Sequence, residues 1–167
     1  TMGEILTTDT VERTIEATPV ALYDFISDVT RMPELSPEIV RCSWVKGATG
    51  PAVGARFRAV NRIGIWRWPN WPVVLVADPG REFTFSRTEP LFGTLEWRYR
   101  FVPEGTGTRV LESYTVTVPL TKAAYALLRL GGQGDREAIM RQGMATTLER
   151  LAALVEQPVA TPPKQEA

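Results

Sequence analysis

The sequence predicts an α+β domain, on three observations. Between residues 39 and 118, apolar side chains recur at every second position and short Gly- and Pro-containing turns interrupt them; this is the pattern of an antiparallel meander. From 135 to 156 the period becomes helical, with Met140, Met144, Thr147, Leu151 and Leu154 on one stripe. Ahead of the meander stand one strand-like segment and two short helical patterns.

The elements follow in order. Residues 10–17 (TVERTIEA) alternate Val11, Arg13 and Ile15 against Glu12, Thr14 and Glu16, and read as the first strand. Thr18 is placed as an N-cap with Pro19 at the first helical position, and Leu22, Tyr23, Ile26 and Val29 share a face. TRMPELSP (30–37) gives a second helix of one or two turns, stopped by Pro37. Val40, Cys42 and Trp44 alternate along the next strand, and KGATGPAVG (46–54) is loop. Phe57, Ala59 and Asn61 then face one way, with Arg56, Arg58, Val60 and Arg62 facing the other. NRIGIWRWPNW (61–71) reads as the end of a hairpin, with Trp66 and Trp68 in phase and Pro69-Asn70 resetting the phase before Trp71. WPVVLVAD, REFTFSRT, TLEWRYRFV and RVLESYTVTV bring the total to about seven strands. In the clearest of them Leu95, Trp97, Tyr99 and Phe101 point inward. Pro119 ends the sheet, LTKAAYALLRL gives a short helix, GGQG is flexible, and Asp135 caps a last helix reaching about Glu156. Residues 10–156 form a single domain in this reading, with disordered ends at 1–9 and 157–167.

Composition narrows the function. The 167 residues are 44% hydrophobic, which is enough for a core, and carry 19 Lys+Arg against 19 Asp+Glu. Zero net charge argues against a general nucleic-acid binder, although a local basic patch stays open. The one cysteine, Cys42, excludes an internal disulfide and suits a reducing compartment. No stretch approaches the roughly 20 apolar residues of a membrane span, and the start lacks a signal-like pattern, so a cytoplasmic location is expected. The absence of histidine removes the commonest general base, the commonest metal ligand and any Ser-His or Cys-His pair. No spacing suggests a metal site, and no cofactor is implied.

The order of strand, two short helices, meander and long helix resembles the helix-grip fold of the START-like (SRPBCC) superfamily. It is closest to the bacterial polyketide cyclase/dehydrase-like branch. The resemblance is carried by residues 27–62 (SDVTRMPELSPEIVRCSWVKGATGPAVGARFRAVNR), 78–85 (DPGREFTF), 96–114 (EWRYRFVPEGTGTRVLESY) and 147–156 (TLERLAALVE). It implies a curved sheet wrapped around the last helix, with a cavity between them that takes lipids, plant hormones, polyketides or other apolar molecules. Some members cyclise or dehydrate a polyketide. Two departures stand out. Leu35 occupies a position where relatives often carry Trp, which enlarges the entrance or only alters packing. The segment 114–132 (YTVTVPLTKAAYALLRLGG) is longer and more apolar than usual.

Candidate ligand-wall residues are Phe57, Asn61, Phe85, Trp97, Tyr99, Met140, Gly143 and Met144, with Trp66 and Trp68 at the mouth. Asn61 is either a polar anchor for a ligand carbonyl or hydroxyl, or bonded to its neighbours. Glu112 and Tyr114 share a face with Val110 and Val116, but parity does not decide which face of that strand is inside. An inward Glu112 would be a general acid or base with a raised pKa. The plainer expectation is a pairing with Arg98 or Arg58. Arg87 follows Phe83 and Phe85 in phase and could hold an anionic group, but is expected in solvent at the strand end. Cys42 is expected to be a buried structural thiol. Gly143, unfavourable inside a helix, marks a close approach: either the roof of a cavity between two methionines, or tight packing on an aromatic such as Trp97.

Three functions follow. The preferred one is binding of a small, mostly apolar ligand, with residues 120–132 as a lid. The second is a polyketide cyclase or dehydratase working through Glu112, Tyr99 or Tyr114, with Asn61 or an arginine polarising a carbonyl. The third is an interaction or homodimer module, with the chain itself a monomer or homodimer and no nucleic acid or integral membrane segment involved.

Overall fold

The computed structural model describes residues 5–156. Strand β1 (Thr8–Ile15) leads into α1 (Pro19–Ser27), a 3-10 turn (Val29–Arg31) and α2 (Met32–Leu35). The meander is β2 (Ile39–Val45), β3 (Arg56–Ile63), β4 (Trp66–Asn70), β5 (Val73–Asp78), β6 (Glu82–Glu89), β7 (Gly93–Glu104) and β8 (Gly107–Val118). Helices α3 (Lys122–Leu130) and α4 (Arg136–Val155) follow. The sheet is antiparallel in the order β1-β8-β7-β6-β5-β3-β2, with β4 paired to β3 beside that path. This is the curled sheet with a C-terminal helix that the pattern and the resemblance both predict.

Local chemistry explains the elements. Thr18 Oγ1 accepts the Ala21 N–H at 3.2 Å and Pro19 opens α1. Asp135 Oδ1 accepts the Ala138 N–H and starts α4, whose buried stripe is Met140, Met144, Thr147, Leu148, Leu151 and Ala152. The meander keeps the predicted parity: Phe57 and Ala59 are buried on β3, and Leu95, Tyr99 and Phe101 on β7.

Two differences from the sequence reading have physical causes. The tryptophan-rich segment contains an eighth strand, β4. Gly64 takes a left-handed φ of 58° and turns the chain at Gly64–Ile65, so that Trp66–Asn70 folds back along β3. Pro69 is tolerated there because β4 pairs only with β3 and its other edge is free. At the N-terminus, the first strand begins at Thr8 and Leu6 is buried, its N–H donating to Tyr125 Oη at 3.0 Å. Residues 5–9 are therefore part of the fold, not of a disordered end; the predicted tail at 157–167 lies outside the described residues.

Among the described residues, the core has two clusters. Tyr23 of α1 meets Phe83 and Phe101 edge-on, with ring centroids 6.4 and 6.1 Å apart, and Leu148 and Leu151 of α4 belong to the same cluster. A second cluster gathers Leu6, Leu95, Tyr114, Met140 and Met144.

Candidate functional site

A cavity of about 120 Å³ lies between the inner face of the sheet, α1, α2 and α4. Its apolar wall includes Phe57, Phe85, Trp97, Met140 and Met144, with Phe25, Ile26, Met32 and Leu35 from the short helices. A dry engineered cavity of roughly 150 Å³ admits benzene. The space is thus of the order of one aromatic ring.

Polar groups from the same sheet face also line it. Glu112 is buried, and its Oε1 accepts the Tyr99 hydroxyl at 2.8 Å. Burial pushes its carboxyl up to about 8, only partly offset by the Tyr99 hydrogen bond. At neutral pH this side chain is mostly protonated, and its Oε2 is buried without a partner. Burial, reinforced by Glu112, also raises the Tyr99 hydroxyl well above its usual value. Asn61 lines the cavity and its Nδ2 is likewise buried and unbonded.

Around the mouth stands a set of charges. On β6, Arg87 and Glu89 continue the inward face of Phe83 and Phe85. Glu89 Oε1 accepts from Trp68 Nε1 at 3.0 Å and Asn70 Nδ2 at 2.7 Å. Arg87 Nη1 lies 3.4 Å from Glu89 Oε2, near enough for charge attraction but misaligned, so it makes no hydrogen bond. Burial lowers the Arg87 pKa, opposed by Glu89. Arg136, in the first turn of α4, grips Glu38 with two N–H···O bonds of 2.7 and 2.9 Å. This clasp ties the α2–β2 connection to α4 across the cavity rim.

The structure brings most of the candidate residues together. Phe57, Asn61, Trp68, Phe85, Trp97, Tyr99, Glu112, Met140, Gly143 and Met144 all line this one cavity. Trp66 does not: it is 69% exposed beyond the mouth. Tyr114 does not either; it packs behind the wall, its ring 5.5 Å from Trp97. Glu112 faces inward and bonds Tyr99, whereas Arg98 pairs with Glu82. Arg87 is turned into the cavity wall, contrary to its expected place in solvent, because β6 keeps its parity to the end and Glu89 draws the guanidinium in. Residues 120–132 contribute nothing to the lining, so the lid reading lacks contact with the cavity. Gly143 is not forced by crowding, since an added Cβ would meet only Pro37 Cγ, at 3.8 Å. Cys42 is buried, which raises its thiol to about 12 and leaves it inert as a nucleophile. Among the described residues, no His/Cys/Asp/Glu group could hold a metal and no helix is long and apolar enough to cross a membrane.

Sequence reasoning missed Glu38, Asn70, Glu89 and Arg136. The parity of Phe83, Phe85, Arg87 and Glu89 was a usable signal for Glu89. So was an arginine in the first turn of α4, where the helix dipole disfavours a cation.

Known structures share this architecture. A START superfamily protein from Mycobacterium smegmatis aligns with a TM-score of 0.65 and 19% identity, over 91% of this chain and 99% of its own. TTHA0849 from Thermus thermophilus gives 0.61 and 24%, over 89% and 99%. The di-domain ARO/CYC StfQ of the steffimycin biosynthetic pathway gives 0.73 and 13%, over 91% of this chain but 51% of StfQ. The chain thus spans about half of that two-domain protein. At these identities the likeness is one of fold. No curated protein matches the chain at a significant level. A family model described as polyketide cyclase / dehydrase and lipid transport matches residues 7–156. The match spans nearly the whole domain, and the chain belongs to that family.

Proposed function

We propose that the protein binds a small, mostly apolar molecule carrying oxygen atoms, in the cavity between sheet and α4. One observation carries this reading. Among the described residues, four buried polar atoms without a hydrogen-bond partner, Asn61 Nδ2, Asn70 Oδ1, Arg87 Nη1 and the Oε2 of a largely protonated Glu112, belong to residues that line a single cavity. Leaving such groups unmatched costs about 1–3 kcal/mol each. A ligand with carbonyl or hydroxyl oxygens would relieve that cost while its apolar part meets Phe57, Phe85, Trp97, Met140 and Met144. The family's description and the ARO/CYC neighbours support a lipid- or polyketide-like molecule. A molecule larger than one ring needs the cavity to widen, and the Arg136–Glu38 clasp at the rim is the contact that would open.

Native mass spectrometry of the protein after exposure to cell extract tests this. The expected result is a discrete adduct that Met144→Trp abolishes by filling the cavity. A clean mass in both proteins overturns it.

A second reading is favoured by the Tyr99–Glu112 pair. A protonated carboxyl beside a phenol, facing a bound carbonyl or hydroxyl, is placed to donate a proton, as cyclisation with loss of water requires. In that case the molecule released from Glu112→Gln would be heavier by one water than that released from the natural protein. Identical released masses would leave binding alone.

A further inference from the structure

We propose that the outer face of β2–β3–β4, with the hairpin tip at Ile65 and Trp66, docks on an anionic lipid surface. The chain is neutral overall, yet these three strands hold five arginines and no acid. Phe57, Ala59 and Asn61 point into the domain, so Arg56, Arg58 and Arg62 point out; the register places Arg41 opposite Val60 and Arg67 opposite Arg62 on that same outer face. Among the described residues, Arg41, Arg58, Arg62 and Arg67 have no ion-pair partner, and Arg56 donates only to the Trp71 carbonyl, at 3.4 Å. Arg58 sits over the exposed Trp71 ring, 5.9 Å from its centroid. Like charges directly opposed across a strand pair are destabilising. Arg62 and Arg67 are therefore kept facing each other at a cost that a polyanionic partner would remove.

The hairpin tip selects the partner. Ile65 is 92% exposed and Trp66 69% exposed at the apex of the β3–β4 turn, flanked by Arg62 and Arg67. An apolar apex with arginines behind it matches a bilayer interface, where Trp and aliphatic groups enter the headgroup boundary and arginines meet the lipid phosphates. A nucleic acid would use the arginines and leave Ile65 without a role. Trp68, two residues on along the same strand face as Trp66, lines the cavity. This inference does not depend on what the cavity holds.

Vesicle flotation tests it. The protein should float with phosphatidylcholine vesicles containing phosphatidylglycerol, not with pure phosphatidylcholine, and added salt should weaken the binding. Arg62→Gln with Arg67→Gln should reduce partitioning roughly 30-fold, at about 1 kcal/mol per arginine. Ile65→Ser with Trp66→Ser should reduce it about tenfold or more. Both pairs alter exposed positions, so thermal unfolding should stay at or above that of the natural protein. No binding to the anionic vesicles overturns the proposal. So does binding that neither pair weakens, or capture of a duplex oligonucleotide in place of vesicles.

Discussion

The two ends of the same strands are built differently. On β6 the inward face begins with Phe83, wholly buried, and ends with Arg87 and Glu89. On β8 it runs from Val110, wholly buried, to Glu112 and Tyr114, whose Oε2 and hydroxyl both lack partners. At the first end Tyr23, Phe83 and Phe101 interlock and α4 supplies Leu148 and Leu151. At the second, α4 supplies Arg136, Met140, Gly143 and Met144 to a cavity. One sheet and one helix thus make a sealed core around Tyr23, Phe83 and Phe101, and a cavity with unmatched polar groups that begins at Glu112, level with Phe83 across Tyr99. The unmatched groups lower stability and are the natural place for ligand chemistry.

The largest effect should come from the sealed core. Phe83→Ala removes a fully buried ring from two aromatic contacts. It should destabilise the protein by about 3–5 kcal/mol in chemical denaturation. A loss below about 1 kcal/mol would break the contrast between core and cavity.

Glu112 should give the next effect, with the opposite sign. Its carboxyl is raised from 4.5 to about 8 in the fold, so the folded state holds a proton that the unfolded chain releases. Stability should therefore fall as pH rises through that window, and level off above it. Glu112→Gln keeps the shape without the charge and should flatten the profile, making the variant the more stable protein at pH 8. Parallel profiles from pH 4 to pH 9 would show that Glu112 is not held protonated.

The smallest effect belongs to Gly143. Space for a methyl group exists beside Pro37, so Gly143→Ala should raise the melting temperature, through a helix gain of up to about 1 kcal/mol. It should also weaken ligand uptake by narrowing the cavity. A destabilised Gly143→Ala would restore the tight-packing explanation of this glycine.

Much of the fold was legible in the sequence because long segments keep one period. Leu95, Trp97, Tyr99 and Phe101 leave no ambiguity about which face is inside, and Thr18-Pro19 and Asp135 mark helix starts by hydrogen-bond chemistry. The site was legible where it shares those faces: Phe57, Asn61 and Trp97 follow from strand alternation and Met140 and Met144 from the helical stripe, once the resemblance supplies a cavity between sheet and helix. It was illegible where both faces look alike. On β8, Val110, Glu112 and Tyr114 alternate with Leu111, Ser113 and Thr115, and only the pairing with β7 decides the matter. Arg87 was misplaced because a local pattern cannot show that Glu89, Arg136 and Glu38 crowd the end of its strand. Trp66 and Trp68 share a parity, but the strand outruns the cavity between them.

The central claim is that the cavity takes a mostly apolar molecule that carries an oxygen. Its most direct test is an amide and side-chain NMR titration with phenol and with toluene, two probes of one ring each. The account predicts that both shift Met140 and Met144, that phenol alone shifts the Asn61 side-chain amide, and that phenol binds more tightly. Equal binding of the two probes, or shifts confined to residues outside the cavity, would contradict it.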